Sequence, residues 1–383
     1  MIQSAAQLAH WLPALGSSPW LAVDTEADSL HSYPEKLCLV QLATPTDTVL
    51  VDPLAGFSLD PLWQAARDKE LILHGADYDL RLLFRTFEFR PHRVFDTMLA
   101  ARLLGRKQFG LASLVEELLG VKLEKGSQKA NWALRPLSAK MTAYALDDAR
   151  YLAPLADKLR EELRAAGRLE WHEQFCAQLV EEAARSRNGV DPEAWRIKGV
   201  NRLGPRSLGV ARELWRWRER EAVEKSRPPF FILAHETLIA IAERAGAGAD
   251  YAALVPRRFP DSRREGLRRA VERGLALPDE ELPGPLVRRS HRLTGAQRSR
   301  LEQLRRRRDR LAAKLNLEAS FIASKATLVA LARNEPGAWE GLLPWQRELL
   351  SEPAGRSSEP RPTATPRRAD TPPSPAAAKA AGP

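Results

Sequence analysis

Residues 21–27 read LAVDTEA, and with Trp20 in front they make a short apolar run that ends in two carboxylates, Asp24 and Glu26, with one threonine between them. The run has the length and composition of a buried strand, along which side chains alternate between faces. Asp24 and Glu26 therefore emerge on the same side. Like charges so close repel, so either one of them keeps its proton near neutral pH or a cation lies between them. A polar strand end running into a turn has the same letters. The rest of the chain must separate the two readings.

On either side of this strand the first 190 residues alternate strand-like and helix-like text, the pattern of an α/β domain. KLCLVQLAT (36–44) and DTVLVDP (47–53) read as the next two strands, antiparallel neighbours through a turn at Pro45-Thr46. ELILHGA (70–76) is a further buried strand, and DYDLRLLFRTF (77–87) a helix with Leu80, Leu83, Phe84 and Phe87 on one face. After RVFDT, helices are expected at about 97–104 and 111–119. A polar loop, LEKGSQKANWALRPL, follows, and helices at about 138–165 and 168–186 close the domain.

The second carboxylate signal is MTAYALDDARYLAPL, residues 141–155. Read as a helix, it puts Met141, Ala145, Asp148, Leu152 and Leu155 on one stripe, with Tyr144 one turn behind Asp148 and Asp147 off the stripe. Asp148 thus stands where a leucine is expected. Burying a carboxylate costs several kcal/mol unless a cation or hydrogen bonds compensate. A core Asp can also cap a neighbouring helix, but Asp24 and Glu26 raise the same need, and one cation answers both. Oxygen ligands without histidine or thiolate favour a hard ion, Mg²⁺ or Mn²⁺, over zinc. A fourth carboxylate is expected after ELILHGA. Asp77 and Asp79 both qualify there, and periodicity does not separate them.

With 383 residues and 44% hydrophobic content, the chain can form two or three domains with real cores. Its most apolar stretch, PFFILAHETLIAIA, is interrupted by His235 and Glu236, so no membrane span is expected, and the N-terminus lacks the basic start and apolar run of a signal peptide. A cytoplasmic protein is the expectation. Cys38 and Cys176 are too isolated for a disulfide framework or a cysteine zinc site. The net charge of +10 is uneven: residues 1–190 hold 22 Lys and Arg against 25 Asp and Glu, residues 191–383 hold 37 against 24. That asymmetry suggests an acidic catalytic half and a basic half that meets a polyanion, although an Arg-rich helix such as LRRRRDRL (304–311) can simply be a solvated face.

The basic half contains an internal repeat. Sliding the chain by 90 residues aligns Arg218 with Arg308, Arg220 with Arg310, Ala222 with Ala312, Phe231 with Phe321, Ile232 with Ile322, Thr237 with Thr327 and Leu238 with Leu328. Two small helical domains of similar build are expected at 207–276 and 291–352. Gly- and Pro-containing linkers precede them at 191–206 and 277–290, and a basic Pro/Ala-rich tail at 353–383 is expected to be disordered.

Asp-x-Glu on a first strand, Asp before Leu in HGADYDL, and Tyr-x-x-x-Asp in YALDD follow the order and spacing of the DEDDy exonucleases, and residues 1–190 resemble that family. The resemblance implies an α/β ribonuclease-H-like domain, a mixed sheet flanked by helices, with metal ligands Asp24, Glu26, Asp79 and Asp148 and a catalytic Tyr144. More narrowly, YPEKLCLVQLA, FDTMLAARLLG, LASLVEELLGV and WALRPLSAKMTAYALDDARYLAPL resemble the bacterial ribonuclease D family, and the two C-terminal repeats resemble HRDC domains, all-α modules shared with RecQ helicases. Asp96 is then a helix cap supporting the site. His74 is a strand-end residue with a possible substrate contact.

The resemblance implies 3′-5′ release of 5′ mononucleotides from RNA by two-metal phosphoryl transfer. Asp24 would bridge two Mg²⁺ or Mn²⁺ ions, Glu26 and Asp148 would hold the nucleophile's ion, and Asp79 would support the second. Tyr144, a poor base with an ordinary pKa near 10, would orient the attacking water. The implied partner is RNA with a free 3′ end, transfer RNA precursors above all, and the implied state a monomer. A DNA-preferring 3′-5′ exonuclease is an alternative, because nothing in the acidic set reads the sugar. A non-catalytic nucleic-acid-binding protein is another, against which the intact set of acids argues.

Overall fold

The computed structural model describes residues 1–29, 31–124, 126, 130–185, 193–284 and 293–351. The tail expected at 353–383 and parts of both linkers lie outside these residues. The first stretch of chain runs α1 (Ala5–Gly16), β1 (Trp20–Ala27), β2 (Leu37–Ala43), β3 (Thr48–Val51), α2 (Asp60–Ala66), β4 (Glu70–Leu73), α3 (Asp77–Phe87), β5 (Arg93–Asp96), α4 (Thr97–Leu103), α5 (Leu111–Leu119), α6 (Ala139–Arg150), α7 (Leu152–Ala165) and α8 (Leu169–Arg185).

The strands form one mixed sheet in the order β3-β2-β1-β4-β5, antiparallel across β3-β2-β1 and parallel across β1-β4-β5. Alternation along β1 sorts its side chains between two layers. Leu21 and Val23 join a core with α1, α2, α3 and α8, whereas Ala22 joins α4, α5 and α7 on the other face. Thr25 continues the first face, and Asp24 and Glu26 the second. β1 therefore delivers its acids to one layer and its threonine to the other.

Three features differ from the sequence reading. RVFD forms β5, which four residues, one of them exposed, were too few to reveal by period. The helix expected across 138–165 is two, broken at Tyr151: the Pro154 ring cannot continue an α-helical ladder through the preceding turn, so α7 restarts with Pro154 in its first turn. The loop before α6 is not merely polar. Its Trp132 is buried against β2, β3 and α6, and Arg135 bonds Asp52 through two nitrogens at 2.7 Å each and the Cys38 carbonyl at 2.7 Å.

Two helical units follow: α9 (Pro205–Glu224), α10 (Pro229–Ile232), α11 (His235–Gly246) and α12 (Asp261–Leu275), then α13 (Gly295–Leu315), α14 (Ala319–Ile322), α15 (Lys325–Arg333) and α16 (Pro344–Leu350). α13, α14 and α15 each begin 90 residues after α9, α10 and α11, so the sequence repeat is a repeat of elements. Its matched arginines begin alike as well. Arg218 is buried and pairs with Glu219 at 2.8 Å, while Arg308 pairs with Asp309 at 2.7 Å and donates to the Ala323 carbonyl at 3.1 Å.

Both units touch the α/β part. Tyr33 donates to Glu219 at 2.6 Å. Trp345 of α16 stacks on Trp171 of α8 with ring centroids 4.5 Å apart, and Phe321 meets Phe175 edge-on at 5.5 Å. Among the described residues, no helix is long and apolar enough to cross a membrane.

Candidate active site

Past Ala22, β1 outruns its pairing with β4, because β4 ends at Leu73 and the chain turns at Gly75 into α3. The uncovered end of β1 opens into a cleft of about 620 Å³, bordered by Asp24, Glu26, Asp79, Tyr144 and Asp148. α6 crosses the strand's second face, so Asp148 comes down onto Asp24 and Glu26. One carboxylate oxygen from each of these three residues lies within 4.8 Å of the others.

Asp79 reaches the cleft from the other layer and stands outside that close trio. It sits buried in the first turn of α3, where the Thr25 hydroxyl donates to it at 2.5 Å. Asp77, the other candidate at this helix start, is half exposed and pairs with Arg81 at 2.5 Å. Asp147 likewise turns out toward solvent and pairs with Arg150 at 3.4 Å.

The electrostatics follow from burying acids together. Desolvation first, then the charges of Asp79, Asp148 and Glu26, hold the Asp24 carboxyl well above the usual range. Burial, with Asp148 and Asp79, pushes Glu26 up to about 8. Burial raises Asp79 to about 7 against the opposing Thr25 hydrogen bond, and Asp148 to about 6 against a hydrogen bond from Tyr144. No Lys or Arg is among the described residues bordering this cleft. Clustered oxygen donors without a compensating protein charge are the donor set of a hard divalent cation, and the residues present fit one. Tyr144 is itself raised, by burial and then by Asp148 and Glu26, so its hydroxyl stays protonated at neutral pH.

Further residues position this set. Asp96 caps α4, accepting from Met98 and Leu99 N–H at 2.9 and 3.1 Å, and its carboxylate also accepts from Gly75 and Ala76 N–H at 2.9 Å each. One side chain thereby ties the β4-α3 turn to the β5-α4 turn. His74 borders the cleft. Thr97 Oγ1 donates to the Leu73 carbonyl at 3.0 Å, so it accepts from His74 Nδ1 at 2.9 Å and leaves Nε2 as an acceptor. Burial keeps this imidazole neutral.

Sequence reasoning missed Trp132, whose ring lies 6.2 Å from that of Tyr144, and Arg135, which ties down their loop. It also missed Gln41, the cross-strand neighbour of Asp24. This buried amide has no hydrogen-bond partner among the described residues. Its signal was a polar residue inside an otherwise apolar strand.

A family model described as 3′-5′ exonuclease matches residues 1–164, and one described as HRDC domain matches 207–249 and 297–344. The chain is 36% identical over 247 residues to ribonuclease D of Sphingobium indicum, a match spanning 63% of each chain. It is 35% identical over 298 residues to ribonuclease D of a Jannaschia species, covering 74% of this chain and 76% of that one. It is also similar to the crystal structure of Escherichia coli RNase D, described as an exoribonuclease involved in structured RNA processing, with a TM-score of 0.73 at 26% identity over 91% of this chain and 95% of that chain. The chain belongs to the ribonuclease D family of 3′-5′ exoribonucleases, with HRDC domains behind the catalytic domain.

Proposed function

We propose that this cleft trims the 3′ ends of transfer RNA precursors one 5′ mononucleotide at a time, with Asp24, Glu26, Asp79 and Asp148 holding two Mg²⁺ or Mn²⁺ ions, in a monomeric cytoplasmic enzyme divided at residues 191–206 and 277–290. The observation that carries the reading is the trio Asp24, Glu26 and Asp148 with oxygens within 4.8 Å, next to a buried Asp79. Bound divalent ions lower the pKa of a coordinated water and offset charge on a departing 3′ oxygen.

The protein's own residues do the remaining work. Asp24, lying between Asp148 and Asp79 electrostatically, is the ligand suited to serve both ions. Thr25 holds Asp79 at the far side of the strand, so the second ion's ligand comes from a different layer than the first's. Tyr144 hydrogen-bonds Asp148 and keeps its proton, which makes it an orienting group for water and a poor base. The similarity to an exoribonuclease of structured RNA supports the substrate class.

The test uses a 5′-labelled transfer-RNA-like substrate with a short 3′ extension. Progressive shortening that needs Mg²⁺ or Mn²⁺, stops in EDTA and resists a 3′-phosphorylated end is expected. Opening of a circular RNA as fast as trimming of a linear one would sink the directional mechanism. Equal rates on matched DNA would favour the DNA-preferring reading.

A further inference from the structure

In the first helical unit, α12 is seated on one face of α9. Gly274 of α12 lies so close to Val210 that a Cβ there would collide with its backbone, and Gly266 similarly meets the Trp217 ring. Ion pairs from Arg273 to Glu213 and from Arg263 to Glu221, both at 3.4 Å, fix the same contact. The occupied face of α9 is therefore Gly209, Val210, Glu213, Trp217 and Glu221.

Shifted by the 90-residue repeat, that face becomes Ser299, Arg300, Gln303, Arg307 and Leu311 of α13. The small, apolar and acidic residues that seat a helix have been replaced, at three of the five positions, by two arginines and a glutamine. The fourth helix of this unit, α16, packs on α13 at Arg307, and beside it lies a groove of about 940 Å³, bordered among the described residues by Arg300, Gln303, Arg306, Arg307 and Arg310 with the half-buried Trp339. Among the described residues, no Asp or Glu borders it.

The guanidiniums are poorly matched by acids. Arg310 is exposed and has no ion-pair or hydrogen-bond partner among the described residues, and Arg300 bonds only the neutral Asn334 side chain. Arg306 pairs with Glu302 at 2.9 Å, in a solvated pair that contributes little. Arg307 donates to the Leu349 carbonyl at 2.7 Å and builds the groove wall.

We propose that this face of α13, equivalent in the repeat to the face of α9 that bears α12, is a binding groove for the phosphodiester backbone of the RNA substrate. Charge complementarity selects the occupant. The chain's own residues 352–383 carry five Lys and Arg against three Asp and Glu, the wrong sign for a cationic groove. Closely spaced arginines beside an indole suit a single-stranded backbone and one stacked base. The proposal rests on the exoribonuclease reading and names where the substrate's body is gripped.

The test uses the full chain in EDTA, with a fluorescein-labelled hairpin RNA bearing a single-stranded 3′ extension. Kd is measured by anisotropy from about 50 to 200 mM KCl. Arg300→Gln with Arg310→Gln should lower the slope of log affinity against log salt by about 0.7 to 0.9 per residue, and weaken binding about tenfold near 150 mM salt. Arg257→Gln with Arg258→Gln removes equal charge from the first unit, and should leave both nearly unchanged. Equal losses in the two variants would make the effect diffuse charge and overturn the groove. So would unchanged RNA binding in both.

Arg310→Glu, at an exposed side chain with no hydrogen-bond or ion-pair partner among the described residues, repeats the test with little effect on folding. If it changed the sedimentation of the protein alone and not RNA binding, the face would join copies of the chain and the proposal would fail. Mg²⁺-dependent cleavage of a short oligoribonucleotide at saturation is read in parallel. Its absence in the unaltered protein would count against the exoribonuclease reading, whereas unchanged RNA affinity with that cleavage intact would overturn only the groove.

Discussion

At the scale of single residues, the candidate site is four acids buried together, which tolerate one another only with protons or a cation among them. Asp148→Asn removes the charge of a proposed metal ligand without changing shape, and loss of at least about a hundredfold in Mg²⁺-dependent turnover is expected, since changes behind a ligand alone cost about 10- to 100-fold. Circular dichroism and RNA binding should be retained. Substantial residual turnover would refute the ligand role. Tyr144→Phe leaves Asp148 without its hydrogen bond and the cleft without one hydroxyl, so a milder loss, about tenfold, is expected from an orienting group. Equal losses in both variants would instead assign Tyr144 to proton transfer. Asp24, Glu26, Tyr144 and Asp148 were legible as a group because periods of 2 and 3.6 mark which residues share a face. Asp79 was not separable from Asp77 by period, since both sit in the first turn of α3. What distinguishes them is the Thr25 hydroxyl, contributed from 54 residues away.

At the scale of elements, the site depends on two turns held at one carboxylate. Asp96→Ala would leave four backbone N–H groups without their acceptor, two of them on the β4-α3 turn and two on α4. Loss of a cap costs about 1 kcal/mol and each buried unsatisfied donor about 1–3, so destabilisation of several kcal/mol is expected in a denaturant titration. A change below about 0.5 kcal/mol would show that the turns hold without it. β5 and the break at Tyr151 escaped the sequence reading for opposite reasons. The strand is too short to have a period, while the stripe from Met141 to Leu155 stays continuous through the break, because the two helices bury neighbouring faces.

At the scale of the whole molecule, clustered acids couple metal binding to stability. Glu26, Asp79 and Asp148 have folded-state pKa values of about 8, 7 and 6, all above ordinary carboxyl values. The metal-free fold thus holds more protons than the unfolded chain, and the stability this gives is complete below about pH 4 and lost as pH rises toward 8. In EDTA, Tm should fall between about pH 5 and 8, and saturating Mg²⁺ should restore it most at the upper end. A Tm insensitive to both pH and Mg²⁺ across that window would refute the coupling. The same scale governs the helical units. Trp345 is buried against Trp171, so Trp345→Ala should cost about 3–5 kcal/mol and loosen the second unit from α8, detectable as faster proteolysis of that unit. A chain cut back before residue 293 would expose Trp171 and Phe175 and should aggregate more readily than the whole.

The sequence by itself determined which residues share a face and where the repeat lies. Local periodicity fixes which face of β1 and α6 each acid occupies, and a 90-residue shift fixes the repeat, because both are properties of neighbouring residues along one chain. Tertiary structure alone decided which acids meet, that Asp79 arrives from the opposite layer through Thr25, and that Trp132 and Arg135 brace Tyr144. It also decided that some of the repeated arginines are internal ion-pair partners, whereas Arg300 and Arg310 line an open groove. These are contacts between segments far apart in sequence, and their energies depend on desolvation and on the company each group keeps, neither of which is written in the residue or its neighbours.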